Sequence, residues 1–160
     1  MARSTLVLTP AQLQELRGML AQVAQQADVR CAFLGDLSGQ DIVSWNDQRV
    51  NVDMGSVAAL AAGDLMATIE IGRMLGGSRS CNLVVQEHDE LTILVARVGE
   101  ALLLLLATAR DVPLGWSRLA IKRLIDRILP IVGKAAMVPP PQAVNEDFER
   151  SFSTQLDAIW

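Results

Sequence analysis

The chain has no tyrosine, a single histidine and two cysteines in 160 residues, and aromatic side chains make up only 4% of it. Each shortage removes a kind of chemistry. Acid–base and covalent catalysis need a poised imidazole, phenol, thiol or carboxylate beside a partner group. His88 stands in "EHDE", which reads as a solvated hairpin turn and not as the seat of a base. Cys31 and Cys81 lie in separate apolar stretches and read as small buried side chains. No Cys-x-x-Cys, His-Glu-x-x-His or calcium-loop spacing occurs, so neither metal nor cofactor is expected. "LGGSRS" (75–80) lacks the phosphate-loop frame, and its glycines end a helix instead of leading from a strand into one.

Positive charge is also scarce: the net charge is -4 and the isoelectric point near 4.9. The one basic cluster, Arg118, Lys122, Arg123 and Arg127, is interrupted by Asp126 and has no stacking aromatics beside it, which argues against nucleic acid. It reads as a charged solvent face or as a seat for an acidic segment or partner. The oily run "ALLLLLATA" (101–109) falls short of the roughly 20 residues that a membrane-spanning helix needs. The opening "MARSTLVLTP" has too short an apolar run for a secretory signal. A cytoplasmic protein without direct membrane insertion is expected.

Apolar residues, at 51% against 20% charged, are in turn sufficient for one folded domain with a substantial core. Thr9, Pro10 and Gln12 form a capping box with proline at the first helical position. From there Leu13, Leu16, Leu20, Val23, Ala24 and Ala27 make one apolar stripe. "VRCAFLG" (29–35) and "DIVSW" (41–45) are strand-like and flank a turn containing Gly39. Asp53 or Ser56 can cap a long helix that runs to Gly76-Gly77. Strands at 80–87, 91–98 and 101–108 follow, and the last, oily at consecutive positions, belongs in the centre of a sheet. "LGWSRLAIKRLIDRILPIVGKAAM" is helical, with Leu124, Ile128 and Leu129 facing inward and Pro130 expected to kink or end the helix.

This order predicts an α/β layered (α+β) domain over residues 1–137. It is a five-stranded antiparallel sheet with two helices on one face and one on the other. A proline-rich linker is expected at 138–144. An amphipathic helix is expected at 145–160, where Phe148, Phe152, Leu156 and Ile159 share a face and Glu146, Asp147 and Glu149 stand near its start.

The helix "AALAAGDLMATIEIGRMLGG" (58–77) is apolar nearly all the way round. Val57, Ala58, Ala61, Leu65, Ile69 and Leu75 form a core face, whereas Ala59, Gly63, Met66, Ala67, Glu70 and Met74, flanked by Leu60 and Ile71, form a second side with few charges. Small residues at 59, 63 and 67 let another backbone come close, and methionines adapt to varied shapes. That side is expected to meet other molecules, which favours binding over catalysis.

Four stretches in this order resemble the Roadblock/LC7 family. "FLGDLSGQDIVSW" (33–45) is similar to its first hairpin, and "VAALAAGDLMATIEIGRMLG" (57–76), with Ala62-Gly63, to its long central helix. "VPLGWSRLAIKR" (112–123) is similar to the entry into its third helix. "FSTQLDAIW" (152–160) resembles the C-terminal helix of its bacterial gliding and polarity regulators. The resemblance implies a profilin-like domain and a homodimer whose third strands pair while the central helices lie side by side. It implies Ala59, Gly63, Met66, Glu70 and Arg73 as a platform for a GTP-bound small Ras-like GTPase of the MglA type. Leu60, Ala67, Met74, Cys81, Leu83 and Val85 would form the dimer interface, and Phe148, Phe152 and Leu156 a second hold on the GTPase. The implied activity is stimulation of the partner's GTP hydrolysis without a donated arginine, and the alternative is a scaffold that binds without activating.

Overall fold

The computed structural model describes residues 5–77 and 82–138. In chain order the elements are β1 (Thr5–Val7), α1 (Pro10–Ala24), β2 (Val29–Asp36), β3 (Asp41–Asn46), α2 (Met54–Met74), β4 (Leu83–Glu87), β5 (Leu91–Val98), β6 (Leu102–Ala109), α3 (Leu114–Gly133) and β7 (Ala136–Val138). They fall into two units, one spanning Thr9–Lys134 and the other formed by the flanking segments. In the second, β1 and β7 pair antiparallel, with Thr5 opposite Val138 and Val7 opposite Ala136.

The first unit holds a five-stranded antiparallel sheet in the order β3-β2-β6-β5-β4. All eight residues of β6 are buried, as a central strand covered on both faces requires. Strand alternation divides the core into two layers. Cys31, Phe33, Val95, Leu103, Leu105 and Ala107 form one cluster with Ala58, Ala61, Ala62 and Leu65 of α2. On the opposite side of the sheet, α1 buries Leu16, Met19, Leu20 and Val23, and α3 buries Ala120, Ile121, Leu124, Ile128 and Ile131. The sheet thus lies between α2 and the α1–α3 pair, as the element order predicts. Ser117 and Thr108, both fully buried, place their hydroxyls 3.4 Å apart where α3 packs on the sheet.

Local chemistry sets the ends of these elements. The capping box of α1 forms in full: the Gln12 amide donates to the Thr9 side chain at 3.2 Å and the Thr9 amide to Gln12 Oε1 at 2.8 Å. Asp53 caps α2, accepting from the Gly55 amide at 3.1 Å and the Ser56 hydroxyl at 2.6 Å, and the Ser56 bond first, then the Gly55 bond, lowers its pKa. The β2–β3 turn is held by the Asp36 carboxylate, which accepts from the Ser38 and Gln40 amides at 2.9 and 3.0 Å. Gly18 lies mid-helix in α1 with nothing within 4 Å of where a Cβ would sit. Gly18→Ala is therefore expected to stabilise the chain by about 0.5–1 kcal/mol, by removing freedom from the unfolded state. A thermal melt with no upward shift would contradict this.

Several expectations need correction. Pro130 does not end α3, which continues to Gly133; Pro130 and Asp126, the residue whose carbonyl loses its helical bond, are both at exposed positions. Leu129 is 39% exposed, since the inward stripe runs through Leu124, Ile128 and Ile131 and leaves it about 100° round the helix. Leu75 is 82% exposed because it lies just past the end of α2. Thr92 of β5, a polar residue from which partial exposure would be expected, is buried. The third strand begins at Leu83, and residues 80 and 81 lie outside the described residues. The strands β1 and β7 were not anticipated.

Candidate functional site

The site is built on α2, a helix of 21 residues whose buried side is made almost wholly of alanine. Ala58, Ala61, Ala62 and Leu65 let its backbone lie close to the sheet, with Val57 and Ile69 packed at the margins. That narrow seat leaves more than half of the helix surface uncovered. By length and composition α2 could also cross a membrane, with a mean hydropathy of 1.4 over 18 residues. In the fold it covers a sheet.

On the uncovered side, Ala59, Gly63, Met66, Glu70 and Arg73 are all exposed, and their spacing of four, three, four and three puts them in one stripe along the axis. Beside it runs a second exposed stripe of Leu60, Ala67, Ile71 and Met74. Leu60 and Met74 are each 74% exposed and Ile71 57%. Large apolar residues contiguous on one surface mark a site of contact with another molecule. The charges near the far end neutralise one another. Arg73 Nε donates to both Glu70 carboxylate oxygens, at 3.0 and 2.9 Å, and this carboxylate raises the Arg73 pKa further above its ordinary value. Gly63 has nothing within 4 Å of a built Cβ, so the groove it leaves opens outward.

At the other end Ala59 lies under the β2–β3 turn. A Cβ on Gly39, whose φ is +92°, would come within 2.8 Å of the Ala59 Cα, so this close approach needs glycine twice over. The two residues are 20 apart in the chain, and only the fold brings them together.

The α2 surface adjoins the sheet edge at β4, which pairs on one side with β5 and has no strand on its other side among the described residues. Gln86 of β4 donates to the Asp64 carboxylate of α2 at 2.9 Å, a link between helix and edge that the sequence did not reveal. Register sorts the strand's side chains. Val84 and Gln86 lie opposite Val95 and Ile93, on the α2 side, so Leu83 and Val85 face the other way. The expected interface residues Leu60, Ala67 and Met74 are therefore on the helix surface, and Leu83 and Val85 are on the edge strand, pointing away from it. Cys81 and the expected helix with Phe148, Phe152 and Leu156 lie outside the described residues.

Among the described residues, the remaining titratable groups do not converge on a reacting centre. His88 is exposed in its turn, and no group of metal-binding side chains occurs among the described residues. Cys31 is buried, and burial first, then the nearby charge of Asp41, pushes its thiol up to about 11, which keeps it protonated and unreactive. An ionic cluster lies on the surface before α2, where Asp28 meets Arg30 at 3.1 Å and Arg49 at 3.4 Å, and Asp47 pairs with Arg49. The Arg49 side chain and amide pull Asp47 down from 3.8 to about 2. A carboxyl that ionises at lower pH in the folded chain adds its stabilisation in full above the unfolded value and loses it as the pH falls toward the folded one. In an NMR titration the Asp47 carboxyl is thus expected to have its midpoint near 2, and to return toward 3.8 in Arg49→Ala. An unchanged midpoint in that variant would contradict the pairing.

No family model and no curated protein matches the chain. Solved structures do. An MglB in a tetrameric arrangement is 24% identical with a TM-score of 0.74, over 82% of this chain and 98% of its own. The Myxococcus xanthus MglB is 25% identical with a TM-score of 0.70, over 78% and 92%. A Roadblock/LC7 domain from Streptomyces avermitilis is 19% identical with a TM-score of 0.63, over 71% and 94%. The order of elements, the antiparallel sheet between one long helix and two others, and these likenesses agree: the chain has the Roadblock/LC7 fold, in the form that MglB has.

Proposed function

We propose that this protein is a homodimeric, non-enzymatic regulator that binds a small Ras-like GTPase of the MglA type in its GTP state and stimulates its hydrolysis without donating a catalytic arginine. The observation that carries the reading is the exposed apolar surface of α2, with Leu60, Met66, Ile71 and Met74 open on a helix already seated by its alanines. One part of that surface, with the β4 edge, takes the second copy, because a sheet edge with no neighbouring strand among the described residues, beside an apolar helix, suits pairing with a like edge. The stripe of Ala59, Gly63, Met66, Glu70 and Arg73 takes the GTPase. Small residues admit a backbone closely, Met66 adapts to the partner's switch region, and the Glu70–Arg73 pair supplies polar contacts at the rim.

Phe148, Phe152 and Leu156 add a second hold, in the manner of an amphipathic helix in a groove. The protein works in the cytoplasm, recruited with its GTPase to a cell pole, in motility or polarity, with no nucleic acid and no membrane insertion. The test is a pair of titrations of a cognate GTPase, loaded with GTP analogue or with GDP, followed by sedimentation. A complex of two copies with the GTP form, and little with GDP, is expected. Equal affinity for both forms, or a strictly monomeric protein, would overturn the proposal.

A further inference from the structure

A cavity of about 260 Å³ opens between α1 and α3, lined by Val23, Trp116, Leu119 and Leu124 together with Arg123 and Arg127. It lies on the opposite side of the sheet from α2. Leu119 is 46% exposed, so the apolar floor reaches the surface, and Arg127 donates to Gln22 Oε1 at 3.0 Å, joining the two helices. Arg118 and Lys122 are exposed on the same helix, and Asp126 is its only acid. A protein of net charge -4 therefore carries a cationic groove with an apolar floor. Its concavity suits an inserted side chain more than a lipid surface, and one tryptophan gives no stacking platform for nucleic acid.

The chain itself contains a segment of the matching chemistry. Phe148, Phe152 and Leu156 are spaced for one helical face, and Glu146, Asp147, Glu149 and Asp157 bring the opposite charge. Pro139, Pro140 and Pro141 precede it, and consecutive prolines favour a stiff extended spacer of about 3.1 Å per residue, which carries a segment away from the chain it leaves. We propose that the groove between α1 and α3 seats the acidic C-terminal segment, residues 145–160, of a second copy of this chain. The phenylalanines enter the apolar floor and the acids meet Arg123 and Arg127, so charge sets the orientation and the aromatic side chains supply the anchor. A segment held in this way is withheld from any other partner.

The test needs no GTPase and so stands apart from the proposed function. A fluorescent synthetic peptide of residues 143–160 is titrated with the full-length protein at high dilution, with fluorescence anisotropy as the readout. Saturable binding is expected, weakened about tenfold or more by the double variant Arg123→Glu, Arg127→Glu and weakened by salt. Leu119→Asp, at an exposed position, gives a second probe should the double variant fold poorly, and it is expected to weaken binding as well. A peptide with Phe148→Ala and Phe152→Ala is expected not to bind. Undiminished binding to both protein variants would overturn the proposal. So would binding seen only when the protein's own Phe148 and Phe152 are replaced by alanine, which would make the occupant the chain's own segment. Arginine-dependent binding to phosphatidylserine vesicles in place of the peptide would assign the groove to a lipid surface and also overturn it.

Discussion

Gly63→Arg is expected to leave the melting temperature of the protein nearly unchanged while weakening its binding to a GTP-loaded cognate GTPase by about thirtyfold or more, as loss of a hot spot worth about 2 kcal/mol does. The two halves of the expectation have separate causes. Nothing lies within 4 Å of a Cβ built on Gly63, and arginine favours a helix more than glycine does, so the domain itself has no reason to unfold. At a packed contact the same arginine brings bulk and a charge that must lose its water, and the two costs add. Met66→Arg, at a position 48% exposed, should act alike. Anisotropy of the labelled GTPase and a thermal melt read the two effects apart. Binding that survives both substitutions would contradict the platform, and unfolding of both would mean that this side of α2 is internal core.

Gly39→Val is expected to have the largest effect on stability, a loss of about 3 kcal/mol from backbone strain and overpacking together. The φ of +92° is one that a β-branched residue rarely adopts. Its Cβ would lie 2.8 Å from the Ala59 Cα, a backbone atom of α2 that cannot swing aside as a side-chain end can. Either the turn rearranges or the first turns of α2 lift from the sheet, and the platform moves with them. Urea denaturation measures the loss; a change below about 1 kcal/mol would show that turn and helix do not approach so closely.

What could be read from the sequence was what short-range chemistry decides. The Thr9–Gln12 box, the Asp53 cap, the glycine turn after Asp36 and the buried run of β6 each need only neighbouring residues, and each forms as expected. Pairings between distant residues were hidden. The three-residue strands β1 and β7 are too short to carry a periodic signal, and Thr5 meets Val138 from the other end of the described chain. The bond from Gln86 to Asp64 and the contact of Gly39 with Ala59 depend on how a strand and a turn lie against α2. Of the two outcomes expected at Pro130, a kink or an end, the helix does not end, and the proline lies at an exposed position.

The candidate site was visible as an anomaly of composition, since exposed helix faces normally carry lysine and glutamate. The division of that face between a twin and a client was not visible in the same way, because the shape of a second molecule decides it. Periodicity places Ala59, Gly63 and Met66 on that side, their role as a platform is what the Roadblock/LC7 resemblance implies, and the fold leaves them exposed.

The proposed function makes α2 the surface through which another protein's chemistry would be accelerated, and single-turnover GTP hydrolysis by the cognate GTPase tests this most directly. The rate is measured with no protein, with saturating wild-type protein and with saturating Gly63→Arg. The account predicts that wild-type protein raises the rate and that the variant leaves it at the value of the GTPase alone. An unstimulated rate in a mixture where the complex with the GTP state has demonstrably formed would contradict it and leave a scaffold in its place.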